Sequence, residues 1–218
     1  MTLLWRGFFC LLGVEFLLMI LNIWPTSIVT LNRAVNLGNE NTFAVWFSSS
    51  QLLALAVAAY FAYREDRAWL WIFVAVGFLY LSIDETASLH ESFGAAIYKG
   101  WISENYGYSD WVYVFAVPIV IAIAMLGKLM LRLRTVSRTS FWFGLVGLLL
   151  WILVIVLELS DDSMPGKQLV FSSGLSHPLH IAEETCEMVG ATFLLFGIGS
   201  YVIERRRGLV RDAVLDSD

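Results

Sequence analysis

Apolar residues occupy this chain in long, nearly unbroken runs rather than in the alternating or one-faced stripes of a soluble fold. Six runs, over about 4–23, 43–63, 68–91, 110–131, 140–159 and 178–203, approach the roughly 20 residues that carry a helix through a hydrocarbon layer about 30 Å thick. Trp24-Pro25, "NLGNEN", "REDR", "SENYGYSD", "RTVSRTS" and "DDSMPGK" punctuate them. The pattern predicts an all-α, polytopic six-helix transmembrane bundle, a single domain over residues 1–218, since the intervening loops are short and helices satisfy their own backbone in lipid. Pro118 falls inside the fourth run, where a kink is expected. The first run begins like a signal peptide, but Glu15 sits at its centre and no small-x-small cleavage site precedes Trp24-Pro25, so it is read as a retained helix.

Composition and charge sharpen this reading. At 58% hydrophobic residues the chain lies well above the roughly 45–50% of soluble domains, which makes it an integral membrane protein. Eleven of the fourteen basic residues fall on one side of the predicted spans: Arg6, Arg64, Arg67, Lys128, Arg132, Arg134, Arg138, Arg205, Arg206, Arg207 and Arg211. Only Arg33, Lys99 and Lys167 fall on the other, so both termini are expected in the cytoplasm, with the chain a multi-pass protein of the inner (plasma) membrane. Thirteen of the nineteen acids sort to the outer side, an excess that topology alone does not require and that points to cation binding.

The remaining features mostly exclude. Cys10 and Cys186 are predicted at opposite ends of their helices, beyond the ~4.4–6.8 Å that a disulfide spans, and are read as reduced. No glycine-rich phosphate loop is present. "ERRRGLVR" reads as an inside anchor touching anionic lipid, not as a nucleic-acid patch. The expected partners are therefore membrane lipids, including a lipid substrate; the sequence names no protein partner or oligomeric state.

Two polar stretches interrupt the apolar pattern. In "LYLSIDETASLHESFG", residues 79–94, a continuous helix would put Asp84, Ser88 and Glu91 within about 60° of one another, with His90 pointing elsewhere and Glu85 at the outer rim. In "SHPLHIAEETCEMVG", His180, Glu183, Glu184 and Glu187 share an arc of about 100°, and His177 just precedes the helix. Trp69 to Ile83 spans about 22 Å and Met188 to Ile203 about 24 Å, so each helix completes its crossing only with its polar turns immersed. Asp84, Glu184 and Glu15 then lie about 10 Å below the outer helix ends and Glu187 about 15 Å. An isolated carboxylate at such depth costs at least ~2.5–3.5 kcal/mol, which a metal ion, protons or a water-filled cavity must offset.

Carboxylates with neutral imidazoles suit a hard or borderline divalent metal such as Zn, Fe or Mn. The expected ligands are Asp84, Glu91, His180, Glu184 and Glu187, with His90, His177, Glu15 and Glu158 as further candidates. A metal with an open position activates water, with Glu183 as base and Ser88 orienting the substrate, which predicts a metal-dependent hydrolase of a lipid or amphipathic substrate. The competing readings are a cation-binding transporter or receptor using the same acids, and a non-catalytic accessory subunit. For Glu15 the structural alternative is a buried acid bonded to Ser or Asn from the second helix, where Ser48 to Gln51 sit at comparable depth; Asp161 and Asp162 read as solvated loop.

The pairing of "LSIDETASLHE" with the late "EETCEMVG" resembles a group of uncharacterised bacterial multi-pass membrane proteins that carry Leu-Ser-x-Asp-Glu and His-Glu on one helix and Glu-Glu-x-x-Glu-Met-x-Gly on the last. The resemblance covers about a fifth of the chain and implies a shared site at Asp84, Glu85, His90, Glu91, Glu183, Glu184 and Glu187. A second likeness is to the ceramidase and adiponectin-receptor superfamily of membrane hydrolases, whose pattern joins Ser, Asp and three His. Ser88, Asp84, His90, His177 and His180 match in residue type, while the late His-x-x-x-His of that superfamily is missing.

Overall fold

The computed structural model describes residues 1–24, 28–37, 42–101, 111–161 and 178–215, without the side chains of 91, 101, 161, 178 and 209–215. Among the described residues the chain forms nine helices: α1 (Thr2–Ile23), α2 (Val29–Val35), α3 (Phe43–Asp66), α4 (Trp69–Ala87), α5 (Leu89–Trp101), α6 (Trp111–Val114), α7 (Ala116–Val136), α8 (Arg138–Asp161) and α9 (Pro178–Leu215). Six of them, α1, α3, α4, α7, α8 and α9, are long and apolar enough to cross a membrane. The six predicted spans thus correspond to six observed helices, and Cys10 and Cys186 are both free thiols.

Three boundaries differ from expectation. The third run is not one helix: α4 stops at Ala87, Ser88 adopts a left-handed conformation (φ 45°, ψ 43°), and α5 starts at Leu89. Ser88 closes one helix and opens the next, its N–H donating to the Asp84 carbonyl and its carbonyl accepting from Ser92. The fourth span begins later than 110, because a turn at Phe115 separates α6 from α7. That places Pro118 in the first turn of α7, where its missing N–H leaves no helical bond unmade, rather than at an internal kink. Finally, α9 runs to Leu215 and, at about 57 Å, outreaches the bilayer.

The short α2 is tied to α1 by Asn22, whose amide donates to the Val35 carbonyl at 2.9 Å and accepts from the Leu37 N–H at 3.0 Å. At the arginine-rich end, Asp66 plays a similar part on a larger scale. Its Oδ1 accepts from the Ala68 N–H at 2.9 Å, and its Oδ2 accepts from Trp71 Nε1 at 3.0 Å, Arg132 Nε at 2.7 Å and the Tyr201 hydroxyl. One carboxylate so joins α3, α4, α7 and α9, following a turn made by Arg67 in the left-handed region (φ 56°). Buried Leu52, Leu55, Ala59, Trp71, Phe78, Leu129, Leu133, Leu194 and Ile198 fill the space between the same helices.

The most extensive helix contact is between antiparallel α8 and α9. It depends on glycine. A Cβ on Gly147 would lie 2.8 Å from the Gly190 carbonyl oxygen, and one on Gly197 would lie 2.9 Å from the Gly144 nitrogen and 3.1 Å from the Ser140 carbonyl oxygen. Small residues allow this backbone approach, which replaces the hydrophobic driving force that lipid does not supply. Trp151 covers Gly190 in the same seam.

Gly197→Ala is therefore expected to cost about 1–3 kcal/mol, the penalty of overpacking against backbone that cannot turn aside. Gly127→Ala on α7 is the comparison, since nothing lies within 4 Å of its added Cβ. Thermal unfolding of the two variants in the same detergent checks this; equal melting temperatures would contradict the seam's role.

Candidate functional site

Antiparallel packing brings the C-terminal end of α4, the start of α5, the end of α8 and the start of α9 to the acid-rich end of the bundle. Asp84 is 6% exposed there, although the helix it ends is largely apolar. The break at Ser88 explains its environment. Because the chain turns, His90 folds back on Asp84: the His90 backbone N–H donates to Oδ1 at 2.7 Å, and its Nδ1 lies 2.7 Å from Oδ2. The opposite imidazole face is met edge-on by Trp111, with ring centroids 4.5 Å apart. Trp111 Nε1 in turn donates to Glu158 Oε1 at 3.0 Å, so α4, α5, α6 and α8 are joined through one aromatic relay.

The expected common face of Asp84, Ser88 and Glu91 is corrected by this break, since the angular argument holds only for an uninterrupted helix. His90, expected to point elsewhere, is the residue that pairs with Asp84. Ser88 shapes the turn. The Glu91 side chain, His177 and Asp162 lie outside the described residues. Glu158 is 5% exposed and belongs to the relay just described.

On α9 the predicted stripe forms. His180 Nδ1 lies 3.5 Å from Glu183 Oε2, and its Nε2 lies 3.9 Å from Glu184 Oε1, the contacts expected one turn apart. The charged groups acting most strongly on Glu184 are all acids: Glu85, Glu187, Glu183 and Glu158. Glu187 meets Glu85, Glu183, Asp84 and Glu158 in the same way. Glu85, expected at the outer rim, is half-buried, with Ser48 of α3 beside it. Asp84, Glu85, Glu158, Glu183, Glu184 and Glu187 form one electrostatically connected group drawn from α4, α8 and α9. Among the described residues, no three His, Cys, Asp and Glu side chains converge closely enough to hold a metal ion as they stand.

Glu15 does not join that group. It is 1% exposed and deeper in the bundle, where its Oε1 accepts from Gln51 Nε2 at 2.7 Å and from Thr192 Oγ1 at 2.6 Å. Gln51 Nε2 also reaches Thr192 Oγ1 at 2.8 Å. This triad ties α1 to α3 and α9 and makes Glu15 a buried, hydrogen-bonded acid, with Gln51 and Thr192 as its partners in place of the expected Ser or Asn. One turn along α3, Ser48 lies beside Glu85, so polar residues continue from the acid-rich end to the buried triad. Beyond it Leu55, Leu194 and Ile198 are fully buried, and the line ends.

Two participants carry no mark in the sequence: Trp111, at the start of the fourth apolar run, and Thr192, inside the last one. Glu85, read at the outer rim, is among the residues of the shared site that the family resemblance implies. A signal for the break does exist: Ser88-x-x-Glu91 has the spacing of a capping box, which marks a helix start.

Fold and site together define a polytopic helical membrane protein with a carboxylate and histidine cluster at one end of its bundle. The chain belongs to the family described as a domain of unknown function, DUF8692, which it matches over residues 7–200. No curated protein and no solved structure matches it.

Removing the imidazole from the Asp84–His90 pair leaves a buried carboxylate without its partner. His90→Ala is expected to cost about 3 kcal/mol. Adding Asp84→Asn, which removes the charge but keeps an acceptor for the residue-90 N–H, should restore part of that loss. Unfolding of the single and double variants measures the coupling; an additive double variant would show that the pair carries no such energy.

Proposed function

We propose that this protein binds a divalent cation in the acidic cluster at the outer, non-cytoplasmic end of its bundle. The observation that carries this reading is the placement of six acids, Asp84, Glu85, Glu158, Glu183, Glu184 and Glu187, at one end of α4, α8 and α9, where the charged groups acting on Glu184 and Glu187 are other carboxylates. Carboxylates crowded at membrane depth require counter-charge, and a divalent ion supplies it to several at once. Glu85, Glu184 and Glu187 would supply oxygen donors to such an ion and His180 a nitrogen donor, a set that would suit Zn, Fe or Mn. The apolar layer of Leu55, Leu194 and Ile198 favours a dead-end binding site over a conducting path.

A second reading has its own observation. His90 is oriented by Asp84 through Nδ1, the arrangement by which a carboxylate fixes an imidazole that exchanges protons. With a bound metal activating water, such a pair supports hydrolysis of a lipid or other amphipathic substrate at the membrane surface. In that chemistry Glu183 is the alternative base and Ser88, at the turn, contacts the substrate.

Elemental analysis of the purified full-length protein, after dialysis against Zn, Mn or Fe, tests the binding reading. One equivalent of metal retained by the native chain and lost in both Glu85→Gln and Glu184→Gln is expected, with the fold preserved. A folded native protein that retains no metal would refute it. Metal-dependent release of fatty acid from a lipid substrate, abolished by His90→Asn with metal content unchanged, would establish the hydrolytic reading.

A further inference from the structure

At the opposite end of the bundle lies a cleft of about 420 Å³ between α7 and α9, lined by Asp66, Leu131, Arg132, Thr135, Val136, Tyr201 and Arg205. We propose that it binds a phosphate group, that of an anionic lipid headgroup. Two guanidinium groups face one cleft, and they are prepared differently. Arg132 is held in place by its Nε–H bond to Asp66, itself fixed by Tyr201 and Trp71, so its position is set before any ligand arrives. One bond to Asp66 leaves most of its N–H donors for a ligand. Arg205 is exposed and makes no hydrogen bond or ion pair with another described residue, whereas its neighbour Arg206 pairs with Glu65 at 2.6 Å. A fixed arginine beside a free one suits a phosphate, which guanidinium binds through parallel charge-assisted hydrogen bonds.

The walls choose between a lipid and a soluble phosphate. Leu131 and Val136 give the cleft an apolar side on α7, and exposed Leu131 continues into the lipid-facing surface of that helix. Arg134, Arg138 and Arg207 lie at the same end of α7, α8 and α9, where the negative leaflet surface attracts basic residues. A headgroup can thus enter with its acyl chains still in the bilayer. The acids of the candidate cation site are at the other end of these helices, so the two sites are independent.

The test uses the full-length protein in phosphatidylcholine nanodiscs at constant ionic strength, titrated with short-chain phosphatidylglycerol, with extra phosphatidylcholine and with inorganic phosphate. Saturable binding of phosphatidylglycerol is expected, with none of added phosphatidylcholine. Arg205→Gln should weaken it about tenfold, the loss of one charge-assisted hydrogen bond, and Arg207→Gln should leave it unchanged. Arg205 has no partner among the described residues to lose, and an unchanged melting temperature verifies the fold of the variant. Equal binding of both lipids, or equal weakening by Arg205→Gln and Arg207→Gln, would overturn the proposal by reducing the effect to diffuse surface charge. Inorganic phosphate that binds as tightly as phosphatidylglycerol would overturn the lipid source.

Discussion

The backbone approach of α8 to α9 is the constraint on which the rest depends. A Cβ on Gly147 or Gly197 would meet the backbone of the facing helix at Gly190 or Gly144, so these glycines permit the register in which the two helices pack. That register sets Glu158 beside the start of α9, puts Thr192 level with Glu15 and Gln51, and delivers Tyr201 to Asp66. Helices in lipid gain little from apolar burial alone. Close packing and polar cross-links must therefore specify the arrangement, and here they alternate along the length of α9.

Three polar layers follow from it, each solving the problem of charge or polarity out of water in a different way. At the arginine-rich end, Asp66 is answered by four donors. In the middle, Glu15 is answered by an amide and a hydroxyl, which hold three helices together without a cation. At the acid-rich end, Asp84 is answered by His90, but Glu184 and Glu187 meet mainly other carboxylates. The middle layer still leaves Glu15 Oε2 and Gln51 Oε1 without a hydrogen-bond partner among the described residues, and the third differs in charge, since the groups acting on Glu184 and Glu187 are other carboxylates.

Much of the fold was legible in the sequence because hydrocarbon thickness leaves few choices: each long apolar run had to be a helix, and all six are. The α9 stripe of His180, Glu183 and Glu184 was legible as well, since it lies on an unbroken helix where spacing alone fixes neighbours. The α4 stretch was misread for the converse reason. "DETASLHE" contains no glycine or proline, and a serine in the left-handed region is uncommon enough that periodicity carried straight through it. One residue's conformation then reversed the roles of His90, Glu85 and Ser88. Trp111 and Thr192 were out of reach because their importance comes from partners 47 and 177 residues away.

The account predicts a cation where carboxylates from α4 and α9 face one another. Anomalous scattering from crystals of the full-length protein grown with Mn or Zn observes this directly. A peak bridging Glu85, Glu184 and Glu187, with these side chains drawn toward it, is the predicted result. Its absence at full metal concentration, with the carboxylates instead hydrogen-bonded to one another through shared protons, would contradict the account.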